Sequence, residues 1–103
     1  DFYDVHGDGV IKIIFTPGHT PGHQSVLVNL PKTGHMLFTG DACYTEDHWC
    51  DKCLPGLVAS SSDAAESVSK LRKVAKEHDA TVVWGHDPIS WKIWKKAPMF
   101  YYD

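Results

Sequence analysis

Three short apolar runs in this chain stop at a glycine, and the residue after each of those glycines is a histidine or an aspartate. Residues 10–16 (VIKIIFT) close on Pro17-Gly18 before His19, residues 35–39 (HMLFT) close on Gly40 before Asp41, and residues 80–84 (ATVVW) close on Gly85 before His86. The runs are too short for stable helices and rich in β-branched and aromatic residues, so each reads as a strand ended by a sharp turn. A further run, residues 24–30 (QSVLVNL), alternates loosely and ends at Pro31-Lys32-Thr33-Gly34, a hairpin turn by composition. The first three strands in chain order therefore predict an antiparallel meander.

One segment carries a clear helical period. Ala64, Val68, Leu71, Val74 and Ala75 fall on one face, Lys and Glu fill the rest, and Asp63 followed by Glu66 fits a capping box, which predicts a helix over residues 63–78. Residues 42–62 show no sustained period and read as a long loop, a length that compact domains keep mostly for function, here as a substrate wall. Pro88 is placed to open a brief helix over residues 88–95. The order β-β-β-loop-α-β is mixed α/β, and no linker or repeat divides residues 1–103.

Composition excludes several function classes. With 43% hydrophobic and 22% charged residues, the 103-residue chain has the material for one ordinary core. Its formal charge of -3 offers no basic stripe for a phosphate backbone, so nucleic acid is a poor partner. No apolar run is long enough to cross a bilayer, so no membrane association is expected. Three cysteines, Cys43, Cys50 and Cys53, do not make a disulfide framework, and a reducing, cytoplasmic setting is expected. Cys50-Asp51-Lys52-Cys53 lacks the second pair that a structural zinc normally wants. Trp91 and Trp94, spaced i, i+3, read first as core or covered helix face and second as an interface.

Strand ends gathered at one edge of a sheet can aim distant residues into one cleft, and two imidazoles with a carboxylate are an ordinary donor set for zinc and also suit iron, manganese or cobalt. Singly, His19, Asp41 and His86 would each pass for a turn residue. Their joint pattern is more specific. Thr16-Pro17-Gly18-His19-Thr20-Pro21-Gly22-His23, Phe38-Thr39-Gly40-Asp41 and Trp84-Gly85-His86-Asp87, in this order and at these intervals, resemble the second half of metallo-β-lactamase superfamily hydrolases. The segment Gly40-Asp41-Ala42-Cys43-Tyr44-Thr45 is further similar to that of the N-acyl homoserine lactonases, enzymes of quorum quenching.

The resemblance implies half of a four-layer αββα sandwich. It implies that His19, Asp41 and His86 are metal ligands, with Asp41 bridging two divalent ions, zinc first among the candidates. His23 is implied to be a hydrogen-bonding residue behind the metals, and Tyr44 to reach over them as the catalytic phenol. The expected substrate is a small lactone. The superfamily's upstream H-x-H-x-D-H motif has no counterpart here, because Val5-His6-Gly7-Asp8-Gly9 lacks its second histidine and reads as a turn. Residues 1–103 are therefore expected to be the C-terminal half of the domain, a fragment inactive alone that needs the N-terminal half as partner. The alternatives are a thioesterase of the glyoxalase II kind, a different lactonase, or a non-catalytic metal-binding module completed by a partner chain or by homodimerisation.

Overall fold

The computed structural model describes residues 2–53 and 55–103. Five strands form one sheet in the order β1 (Phe2–Asp4), β2 (Ile11–Phe15), β3 (Gln24–Leu30), β4 (Gly34–Gly40), β5 (Thr81–Trp84). The first four pair antiparallel with their neighbours, and β5 lies parallel to β4. The predicted meander is present, extended by β1, which three residues are too few to announce in sequence. A parallel neighbour needs a crossover, and α2 (Ser61–Glu77) supplies it between β4 and β5. Alternating directions leave β2 and β4 parallel to each other with β3 between them, and β5 joins them. The C-terminal ends of β2, β4 and β5 therefore meet at one end of the sheet, where His19, Asp41 and His86 follow.

The core lies between one face of the sheet and α2. Ile14, Leu27 and Leu37 project from three adjacent strands and meet Leu71 and Val74, all nearly or fully buried. Each such side chain contributes about 1.5–3 kcal/mol on burial. The helix starts earlier than the capping box implied: Ser60, not Asp63, is the cap, its hydroxyl accepting the Asp63 N–H at 3.3 Å. Three consecutive serines carry the chain into the first turn, so composition hid the boundary. Ser67, buried on the apolar face, donates to the Pro17 carbonyl at 2.6 Å. Helix and strand end are thus joined beside His19.

Two expectations need correction. The stretch expected to be loop holds a short helix, α1 (Glu46–Trp49), capped by the Thr45 hydroxyl on the His48 N–H; four residues cannot display a helical period. Trp91, on α3 (Pro88–Ile93), is 64% exposed rather than core, because it lines an open cavity beside Phe38 and Val83 instead of packing into the sheet. Trp94 is half-buried and packs edge-on against Tyr102, 6.0 Å between centroids. Among the described residues, no helix is long and apolar enough to cross a membrane.

Candidate metal centre

Two close contacts draw the three strand ends together. A Cβ on Gly85 would run into the Gly40 carbonyl, so glycine at 85 lets the β5 end lie directly on the β4 end. Gly18, at φ 140°, faces the Ala64 backbone in the first turns of α2, where any side chain would collide. Its carbonyl accepts the N–H groups of Ala59 and Ser60 at 2.8 and 3.0 Å. Backbone contact, rather than side-chain packing, sets how close the corners come.

The result is a carboxylate between two imidazoles. His86 Nε2 stands 2.8 Å from Asp41 Oδ1, and His19 Nε2 stands 3.2 Å from Asp41 Oδ2. The Tyr44 hydroxyl lies 3.3 Å from His19 Nδ1, and its ring meets that of His86 edge-on at 4.9 Å between centroids. His19, Asp41, His86 and Tyr44 are therefore one cluster. Among the described residues no three His, Cys, Asp or Glu donors close on a single point. That agrees with the geometry, since each imidazole faces a different oxygen of Asp41.

His23 sits behind this cluster. The Asp41 N–H donates to His23 Nε2 at 3.0 Å, which leaves that nitrogen unprotonated and puts the ring hydrogen on Nδ1. From there one consistent chain of donors runs inward: His23 Nδ1 to Thr16 Oγ1 (2.9 Å), Thr16 to Ser25 Oγ (2.9 Å), and Ser25 to the Thr39 carbonyl (2.9 Å). Thr16, Ser25 and Thr39 are almost wholly buried, so these bonds satisfy groups that would otherwise be costly to bury. Burial lowers the His23 pKa, against the Thr16 carbonyl and the Asp41 charge, which raise it, and with His19, which lowers it further. A neutral ring is what an acceptor for Asp41 must be.

The loop bearing Tyr44 is held from both sides. The Cys43 and Tyr44 carbonyls accept the Gly85 and His86 N–H groups at 3.0 and 2.9 Å, which locks Tyr44 and His86 together. Asp87 caps α3 and also accepts the Glu46 N–H at 3.1 Å. That bond, with the lesser ones from Ser90 and Ile89, holds the Asp87 carboxyl below the usual carboxylate range against burial, which acts to raise it. Sequence reasoning missed Thr16, Ser25, Thr39, His48 and Asp87. Asp87 had a readable signal, an aspartate directly before a proline at a helix start. Beside His86 opens a cavity of about 500 Å³ lined by Phe38, Val83, Trp84, Trp91 and Trp94.

The cysteines lie outside the cluster. Burial pushes the Cys43 thiol up to about 12, which keeps it inert, while Cys50 and Cys53 are exposed free thiols.

A mixed sheet whose strand ends bring two imidazoles around one carboxylate gathers the kind of donors that divalent metal ions take. The chain belongs to the metallo-beta-lactamase superfamily, whose model matches residues 1–86. It is 60% identical over 101 residues to the N-acyl homoserine lactonase AttM of Rhizobium radiobacter, covering 98% of this chain and 38% of that protein. It is 38% identical over 77 residues to an N-acyl homoserine lactonase of Bacillus cereus, covering 75% of this chain and 30% of the relative. Among solved structures it superposes, with TM-score 0.85 and 31% identity over 94% of this chain and 38% of the other, on an N-acyl homoserine lactone hydrolase with N-hexanoyl-L-homoserine bound at its catalytic metal centre. The matched stretch thus spans 30–38% of the length of these relatives.

Proposed function

We propose that the intact protein carrying this chain is a metal-dependent hydrolase that opens the ring of N-acyl homoserine lactones. The observation that carries the reading is the Asp41 carboxylate, each of whose oxygens faces a different imidazole. The donor set fits a metal pair: His19 with Oδ2 would hold one ion, and His86 with Oδ1 the other. This chain would then supply two donors to each ion, fewer than the four that zinc takes. We infer that the rest come from an N-terminal half bearing an H-x-H-x-D-H motif, which accords with the share of the relatives that this chain covers. When bound, such a pair supplies Lewis acidity, which polarises a carbonyl and lowers the pKa of a bound water.

The chain's own residues orient and donate. With His19 Nε2 committed toward the metal side, its ring hydrogen sits on Nδ1 and donates to the Tyr44 oxygen. The phenol's hydrogen is then free to point at a substrate carbonyl, where it would stabilise charge developing on that oxygen. His23 and its buried hydroxyl chain hold the Asp41 backbone so that the carboxylate stays between His19 and His86.

The test is ring opening of N-hexanoyl homoserine lactone by the purified intact protein, followed by proton release alongside metal analysis. Two metal ions per chain and turnover are expected, with Tyr44→Phe slower at unchanged metal content. Thioester hydrolysis without lactone opening would transfer the protein to the glyoxalase II-like thioesterases.

A further inference from the structure

Three imidazoles surround the Tyr44 ring, and one of them has no part in the metal reading. His19, His86 and His48 meet the phenol edge-on, with centroids 6.0, 4.9 and 6.4 Å away. His48 is 5% exposed, an unusual place for an imidazole in a four-residue surface helix. Its Nδ1 accepts the Tyr44 N–H at 3.3 Å, while its own N–H is taken by the Thr45 hydroxyl. The Tyr44 carbonyl is already held by the His86 N–H. His48 therefore provides the remaining anchor on the Tyr44 backbone and touches its ring as well.

From this geometry we infer that His48 is a positioning residue, fixing Tyr44 so that the phenol reaches the space between His19 and His86. The inference rests on the role given to Tyr44 above. Nδ1 accepts, so the ring hydrogen is on Nε2 and the imidazole is neutral. Burial, the Arg72 charge acting with it and Asp51 acting against it leave the His48 pKa below the usual histidine value, so the acceptor persists at neutral pH. Without the bond, the Tyr44 N–H loses its partner and the backbone that carries the phenol is free to shift. A displacement of about 1 Å at a reacting group can cost roughly a hundredfold in rate.

The experiment compares His48→Leu and His48→Asn in the intact, metal-loaded protein, each alone and combined with Tyr44→Phe. Asparagine carries its carbonyl oxygen where Nδ1 stands, attached to the same γ-carbon, whereas leucine fills similar space with no acceptor. His48→Leu is expected to lower kcat by about tenfold with metal content unchanged, and to speed hydrogen exchange at the Tyr44 amide by roughly tenfold. His48→Asn should retain most of the wild-type value in both measurements. In the Tyr44→Phe background, leucine at position 48 should cost less than about twofold in kcat, since its effect runs through the phenol. An equal loss in both backgrounds, or an unchanged Tyr44 amide, overturns the positioning role. Tyr44→Phe alone turning over as fast as the wild type overturns the reading of Tyr44 and this inference with it, so the two failures are told apart by one variant. Should leucine at position 48 prevent folding, the wild-type protein still decides: a scalar coupling across the Tyr44 N–H to His48 Nδ1 bond supports the anchor, and its absence overturns it.

Discussion

Two pairs of histidines sit at opposite ends of the same sheet. At one end His19 and His86 flank the Asp41 carboxylate at 3.2 and 2.8 Å. At the other, His35 at the start of β4 and His78 at the end of α2 meet edge-on with centroids 5.0 Å apart, beside Phe2. The His78 Nδ1 is spent on the Val74 carbonyl, and the charged groups acting on His35 are His78 and Lys12, both basic. Imidazole proximity is common to both ends. What differs is a carboxylate at the centre, glycines that let backbones touch, and a buried hydroxyl chain that fixes the carboxylate. A histidine pair becomes a candidate cation site through what lies between and behind it.

Removing the carboxylate should break the contrast most completely. Asp41→Ala in the intact protein is expected to lower lactone turnover by roughly a thousandfold or more and to deplete bound metal, measured by elemental analysis. Retention of two ions would show that Asp41 does not bridge them. Next in size, Gly85→Ala pushes a methyl group into the Gly40 carbonyl, separating Asp41 from His86. A destabilisation of about 1–3 kcal/mol by denaturant unfolding, with weaker metal binding, is expected. The same substitution at Gly34, where a Cβ meets open space but φ is 82°, should leave metal binding intact and carry only backbone strain.

His23→Leu should rank below these. It leaves the Asp41 N–H and Thr16 hydroxyl without the ring, at a cost of about 1–3 kcal/mol, and should weaken metal affinity by roughly tenfold to a hundredfold in a chelator competition. At the far end, effects should be smallest and confined to acid. Burial first, then His78 and Lys12, hold the folded His35 pKa below 6.5. Above 6.5 both folded and unfolded chains carry a neutral ring; as pH falls through 6.5 the unfolded chain takes up the proton first and stability declines, levelling off below the folded pKa. His35→Gln should flatten that decline in thermal melts between about pH 7 and 5, while turnover at about pH 7.5 stays within about twofold. A large loss of turnover would mean that the two ends communicate.

Much of this protein was legible before any coordinates. The period of residues 64–75 announced α2, since an amphipathic helix prints its buried face into the chain at fixed spacing. Residues 24–30 were bounded to the residue as β3, because alternation and turn chemistry are local. The positions of His19, Asp41 and His86 stood out for a related reason, since each follows a glycine at or just past the end of a strand, whereas Tyr44 follows no glycine and was singled out only through the resemblance of residues 40–45 to the lactonases. Short elements were not legible. β1 draws its stability from pairing with β2, and α1 from the Thr45 cap and the burial of His48, and neither contribution leaves a repeat in the sequence.

That His19, Asp41 and His86 each follow a glycine at or just past the end of a strand was written in the chain alone, because turn chemistry is a property of the residue and its neighbours. What those residues do to one another was set by tertiary packing. That Asp41 offers one oxygen to each imidazole depends on β2, β4 and β5 running the same way and on Gly85 lying against Gly40. That His23 serves as the acceptor for Asp41 depends on where its buried ring nitrogen ends up relative to a distant backbone N–H, whereas His48 meets Tyr44 only four residues away, through the turn that Thr45 caps. Hydrogen bonds have short range and strict direction, so partners 18 or 45 residues apart in sequence are chosen by the packing of strands and helix and by nothing local.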